Sequence, residues 1–131
     1  RDVAVTGVQT CALPIYRGIA KGGYDLGPAG GEYLLVALGG CFTSHLLAAI
    51  RAREAAMTNV KVEVSGTMDG SPEKFVDFAV NVTADCADPD LPVKLITIAA
   101  RACQVMNTLR QSTPIAVAYQ GVPIESTAAV A

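Results

Sequence analysis

Hydrophobic residues form one long continuous block in this chain, followed by shorter runs in which they alternate with polar residues. Residues 33–50 carry no formal charge, and apolar side chains within them repeat at spacings of three and four, as at Leu34, Leu38 and Cys41. This spacing predicts a helix over residues 31–57. Its apolar positions cover most of the circumference, so we expect a central helix that packs against partners on more than one side.

Two segments with a period of two follow the predicted helix. Three valines alternate with polar residues in residues 59–67, and a second alternating run occupies residues 75–83. Residues 68–72 between them have the composition of a turn. The two segments therefore predict an antiparallel hairpin with a long loop, and each strand has one buried and one solvent-facing side.

The last third of the chain predicts a second helical region and a return to strand. A break rich in Asp and Pro over residues 85–92 precedes helical spacing that extends to about Leu109. Cys103 lies inside this region and either continues the helix or begins a separate short one. Residues 115–119 and 122–125 are predicted as short strands. The order of elements indicates an α+β fold in which an antiparallel sheet packs on a long central helix.

Composition and charge exclude several classes of protein. The chain has 131 residues, of which 51% are hydrophobic and 17% charged, the opposite of the balance in disordered proteins. Its net charge of −2 leaves no basic surplus for nucleic acid. The uncharged block is about long enough to cross a membrane, but Gly39, Gly40 and the polar residues 43–45 weaken a lipid-facing helix. We therefore expect a cytoplasmic protein that binds neither nucleic acid nor membrane.

The cysteines are the main candidates for chemistry. None are spaced as CxxC, so the sequence predicts no metal site, and no motif for a bound cofactor is present. Cys41 follows two glycines that leave space beside it, and it is either a nucleophile or a small core residue. Cys103 lies on the second helical element, from which two thiols can meet as a redox pair. His45, one turn after Cys41, either lowers the thiol pKa as an imidazolium or is a hydrogen-bonded core residue. Cys86 has no motif around it and is predicted to be an ordinary thiol.

Two sequence motifs resemble those of a known family. Residues 23–28 form a loop that ends in Gly-Pro, and residues 32–41 read Glu-Tyr-Leu-Leu-Val-Ala-Leu-Gly-Gly-Cys. Residues 103–109 read Cys-Gln-Val-Met-Asn-Thr-Leu. The two motifs, in this order, resemble the signature of the OsmC-like family, which includes the osmotically inducible protein and the organic hydroperoxide resistance protein. The resemblance extends over about residues 21–120, with Gln104 at a position where relatives often have Pro.

The resemblance implies a function and a set of site residues. Relatives are intertwined α+β homodimers that reduce peroxides at the dimer interface as part of the bacterial response to oxidative stress. By this resemblance, Cys41 is the peroxidatic cysteine, Cys103 is the resolving cysteine, and Glu32 is a further catalytic residue. The expected substrate is an organic hydroperoxide, and an external dithiol reductant takes the place of a bound cofactor. The alternative is a non-catalytic stress-associated domain that binds a small apolar ligand, or an inactive fragment.

The N-terminal residues differ in character from the rest. Residues 1–15 resemble the translation of sequencing-adapter read-through and are predicted to be a non-native leader. Residues 16–131 are then predicted to form a single OsmC-like domain. Relatives have an N-terminal β-hairpin, part of which we expect this chain to lack.

Overall fold

The computed structural model describes residues 17–124. The expected leader, residues 1–15, lies outside this range. The chain divides into two compact units, with the boundary after Leu34. The described part of the first unit contains a short 3₁₀ helix, Ile19–Lys21, and bends, with no strand among its described residues. Its loop is closed tightly at Gly23, where a Cβ atom would lie 1.9 Å from the carbonyl oxygen of Arg17, so only glycine fits there.

Helix α1, Gly30–Ala52, confirms the long apolar helix and ends slightly earlier than predicted. Beyond Leu34 its buried face consists of Leu38, Phe42, Leu46 and Ala49. The expectation of partners on more than one side is wrong for the single chain, because Val36 is 63% exposed and Leu47 45% exposed. Among the described residues, α1 is the one helix that is long and apolar enough to cross a membrane. This is weak evidence for a membrane span, because core helices of soluble proteins have the same length and composition.

A four-stranded sheet follows the helix. Strands β1, Met57–Asp69, and β2, Lys74–Cys86, form the predicted antiparallel hairpin, with Val62 opposite Val82. Strand β3, Ile115–Tyr119, lies beside β2, and β4, Val122–Pro123, lies beside β3. The inner face of β2 is formed by Phe78, Val80 and Val82.

The sheet is mixed, which corrects the prediction of a purely antiparallel one. Strand β3 runs parallel to β2, and β4 runs antiparallel to β3. The reason is the connection between β2 and β3, which contains helices α2, Leu91–Ala102, and α3, Gln104–Leu109. A helical crossover returns the chain to the end of the sheet at which β2 began, and the next strand therefore pairs in parallel.

The helices of this crossover are separated by a single extended residue, Cys103, with φ −70° and ψ 110°. The second of the two alternatives for Cys103, the start of a short separate helix, is therefore the observed one. Helix α2 buries Leu95, Ile96, Ala99 and Ala100, and α3 buries Met106. Together with the sheet, these side chains form an aliphatic core, and the α+β class is confirmed.

Candidate active site

Cys41 lies in α1 and its side chain is half-buried. The two preceding glycines have different surroundings. A Cβ atom on Gly39 would lie 3.0 Å from Cγ2 of Val64, so the missing side chain lets strand β1 approach the helix. A Cβ atom on Gly40 would meet nothing within 4 Å in this chain. Both glycines therefore leave space, as the sequence suggested. The space at Gly39 is occupied by strand β1, and the space at Gly40 is open surface.

Cys103 is fully buried between α2 and α3. Its Sγ atom accepts a hydrogen bond from the backbone N–H of Met106 at 3.4 Å, so the thiol caps the first turn of α3. The extended backbone at Cys103 ends α2 and reorients the chain before α3 begins. The position of this thiol is therefore determined by a break between helices and not by a helix face.

The structure brings Cys41 and Cys103 together. They lie close enough for each thiol to shift the pKa of the other, although Cys41 lies in α1 and Cys103 lies between α2 and α3. Cys41, Cys86 and Cys103 are all free thiols within residues 17–124. Neighbouring thiols of this kind can form a disulfide when one of them is oxidised.

The two thiols differ in acidity. The pKa of Cys41 is lowered, mainly by a hydrogen bond from the backbone N–H of Val105, which outweighs the opposing effect of burial. Hydrogen bonds from Cys103 and from the N–H of Gln104 lower it further. The pKa of Cys103 is raised to about 11, mainly by burial and in addition by the neighbouring Cys41, while the N–H groups of Met106 and Val105 act in the opposite direction. Because the thiolate is the reactive form of cysteine, Cys41 is the thiol of the pair that ionises more readily.

Gln104 connects Cys41 to His45. The Sγ atom of Cys41 donates to Oε1 of Gln104 at 3.4 Å, and Nε2 of His45 lies 3.0 Å from the same oxygen. An amide oxygen only accepts hydrogen bonds, so this arrangement requires the proton of His45 on Nε2. The sequence motifs alone did not identify Gln104 as a site residue. The signal for it was a polar side chain next to Cys103, at a position where relatives often have Pro.

Glu32 lies in the first unit, at the start of α1. Its Oε2 atom accepts a hydrogen bond from the backbone N–H of Ala29 at 2.6 Å. A carboxylate in the first turn also interacts favourably with the helix dipole. These contacts give Glu32 a helix-capping role, and its catalytic role stays a prediction. Within residues 17–124, no group of three His, Cys, Asp or Glu side chains could hold a metal ion.

The chain combines an α+β fold with two neighbouring thiols, and comparison with known proteins identifies its family. The model of the OsmC-like protein family matches residues 22–118. The chain therefore belongs to the OsmC-like family. No curated protein matches the chain.

Solved structures of this family have the same fold at low sequence identity. An organic hydroperoxide resistance protein OsmC from Legionella pneumophila has 13% identity and a TM-score of 0.67, with 79% of this chain and 77% of that chain covered. A putative osmotic stress induced and detoxification response protein from Psychrobacter arcticus has 16% identity and a TM-score of 0.69, with coverage of 79% and 76%. A putative organic hydroperoxide resistance protein from Vibrio cholerae, with captopril bound in one active site, has 20% identity and a TM-score of 0.62, with coverage of 81% and 74%.

Proposed function

We propose that this protein is a thiol-dependent peroxidase that reduces organic hydroperoxides through Cys41 and Cys103. The observation that supports it is the contact between a half-buried thiol of lowered pKa and a buried thiol of raised pKa. A peroxidatic cysteine has to be ionised and accessible, whereas a resolving cysteine has to wait as a thiol. The names of the Legionella and Vibrio relatives are consistent with this activity.

The reaction begins at Cys41. Its thiolate attacks the terminal oxygen of the hydroperoxide and the O–O bond breaks, so that Cys41 becomes a sulfenic acid. The departing alkoxide takes a proton from solvent and leaves as the alcohol. The sulfur of Cys103 then attacks Cys41, a disulfide forms, and the hydroxyl group leaves as water with the proton of Cys103. An external dithiol returns both cysteines to thiols and is itself oxidised to a disulfide. The backbone N–H groups of Val105 and Gln104 stabilise Cys41 in its ionised form during this cycle.

The surroundings of Cys41 favour an organic peroxide over hydrogen peroxide. Helix α1 is apolar on both sides of Cys41, and the surface at Gly40 is open. An alkyl tail that packs on such a surface gains about 0.8 kcal/mol for each buried methylene group. A three-carbon tail would thus improve binding by about 2 kcal/mol relative to hydrogen peroxide.

The same helix supports a homodimer. Val36 and Leu47 are large, apolar and exposed, and eleven residues, about three helical turns, place them on one side of α1. An apolar face of this kind is typical of an interface between subunits. We propose that a second copy of the chain covers it, as in the dimers implied by the family. We also propose a cytoplasmic location, where free thiols remain reduced.

Peroxide consumption tests the proposed function. Purified protein is mixed with cumene hydroperoxide and dithiothreitol, and loss of the hydroperoxide is followed over time. We expect the Cys41→Ser variant to lose the activity and the matched Cys86→Ser variant to retain it. In a separate reaction without dithiothreitol, Cys103→Ser should consume one equivalent of cumene hydroperoxide and then accumulate sulfenic acid, which a dimedone adduct reveals by mass.

Three outcomes would contradict the proposal. Equal rates for the wild type and Cys41→Ser would show that Cys41 is not the nucleophile. An oxidised wild type without a Cys41–Cys103 disulfide would reject the resolving step. The absence of any reaction with hydroperoxide would favour the alternative, a non-catalytic domain.

A further inference from the structure

Arg110, the residue after helix α3, is half-buried and has two guanidinium nitrogens that lack a hydrogen-bond partner among the described residues. Its backbone N–H donates to the carbonyl oxygen of Met106 at 3.0 Å, so the backbone continues the last turn of the helix. Two atoms of its guanidinium group, Nε and Nη2, are buried and have no hydrogen-bond partner within residues 17–124. A guanidinium group stays protonated in proteins, and leaving its donors unpaired in the interior is costly. A buried donor without a partner calls for a specific explanation, and an anion that forms beside it during the protein's function is one such explanation.

Cys103 is the group at which that anion can form. It lies seven residues before Arg110, about two helical turns, on the same side of α3. Side chains in helices lean toward the N-terminus, which directs the long side chain of Arg110 back toward Cys103. Burial lowers the pKa of Arg110, and the charge of Cys103 opposes that effect, which places the two groups within electrostatic reach. The other groups that face Cys103 are the thiol of Cys41 and the backbone N–H groups of Val105 and Met106.

We propose that Arg110 stabilises the thiolate of Cys103 when Cys103 is the leaving group in reduction of the Cys41–Cys103 disulfide. This inference rests on the proposed function and adds a role for a residue outside the thiol pair. In the step concerned, one thiolate of the dithiol attacks Sγ of Cys41, which is the more accessible sulfur. The S–S bond breaks, and its electron pair goes to Sγ of Cys103.

The cycle then closes without further protein groups. The second thiol of the reductant loses its proton to solvent and attacks the reductant's own sulfur in the mixed disulfide. This attack releases the Cys41 thiolate and the oxidised reductant, while the Cys103 thiolate takes a proton from solvent. A buried thiol is a poor leaving group because its thiolate is poorly solvated, so a cation at Arg110 is useful at this step.

The test measures reduction separately from peroxide chemistry. Diamide converts the wild type, Arg110→Met and Arg110→Lys to the disulfide form, which is verified by mass and by peptide mapping. The second-order rate constant for reduction by dithiothreitol is then measured at pH 8. Arg53→Met, in which an exposed arginine is removed, is the matched control.

We expect Arg110→Met to be reduced about three- to tenfold more slowly than the wild type, because the Cys103 thiolate would then leave without a nearby cation. Arg110→Lys should retain most of the rate, and Arg53→Met all of it. The rate at which Cys41 reacts with cumene hydroperoxide, measured in a Cys103→Ser background, should change less than about twofold with Arg110→Met, because Arg110 acts on Cys103.

Several results would overturn the inference. One is that Arg110→Met is reduced as fast as the wild type. A second is that Arg110→Met slows the reaction of Cys41 with hydroperoxide as much as it slows disulfide reduction. A third is that both Arg110 variants unfold or dissociate, which would give Arg110 a structural role. Failure of diamide to form the Cys41–Cys103 disulfide in the wild type would also overturn it. Failure of the wild type to react with hydroperoxide, with disulfide reduction still slowed in Arg110→Met, would reject the proposed function and leave the role of Arg110 standing.

Discussion

Alkylation of the native protein by iodoacetamide should distinguish Cys41 from Cys103. Burial raises the pKa of Cys103 to about 11, whereas the Val105 N–H holds the pKa of Cys41 below its ordinary value of 9.0. At pH 8 about one Cys103 in a thousand is then ionised, against more than about one Cys41 in eleven. The ratio of thiolate is about a hundredfold. The more basic thiolate is the stronger nucleophile, which offsets about six- to tenfold of this ratio. Cys41 should therefore react at least about tenfold faster.

The assay is peptide mapping after brief alkylation. Trypsin places Cys41 in the peptide 22–51 and Cys103 in the peptide 102–110, so one digest reports both rates. In urea-unfolded protein, the control, the two cysteines should react at similar rates because burial and the backbone hydrogen bonds are lost. The reasoning would be refuted if Cys103 reacted within about threefold of Cys41 in the native protein, or if the rate at Cys41 rose with a midpoint above 9.0.

Four further predictions follow from single contacts. The raised pKa of Cys103 means that the folded state holds this proton more tightly than the unfolded state does. The free energy of unfolding in urea should therefore fall as pH rises from about 9 to about 11, and it should fall less in Cys103→Ala. Gln104→Pro fits the extended backbone of the preceding residue and removes one N–H from Cys41, so the protein should fold and the pKa of Cys41, from the pH dependence of alkylation, should rise. Gly66→Ala places a Cβ atom 2.9 Å from the Phe75 ring and should cost about 1–3 kcal/mol in urea unfolding, unlike Ser65→Ala on the exposed side of β1. Leu47→Glu should shift the protein toward monomer in sedimentation velocity, whereas a wild type that is monomeric throughout would contradict the proposed dimer.

Much of the fold is predictable because it is encoded in local periodicity. The alternating valines of β1 and β2 predict two strands, and the uncharged block predicts α1, because side-chain direction repeats every two residues in a strand and every 3.6 in a helix. The motifs that contain Cys41 and Cys103 were sufficient for the family, which the match over residues 22–118 confirms. The sequence also indicated a break at Cys103 as one of two alternatives.

Contacts between distant segments required the tertiary structure. Strand β3 pairs in parallel with β2, which periodicity does not encode, since a strand has the same alternation in either direction. The exposed side of α1 was likewise unexpected, because an apolar sequence does not distinguish a surface covered by the same chain from one left for a partner.

The chemistry of the site divides in the same way. The sequence by itself determined which thiols are candidates, because thiol chemistry and motif spacing are properties of the chain. Only the tertiary structure decided that Gln104 bridges Cys41 and His45, and that two guanidinium nitrogens of Arg110 are buried without a hydrogen-bond partner among residues 17–124. The physical reason is that acidity depends on burial and on the donors and charges within a few ångströms, and folding brings these together from separate parts of the chain.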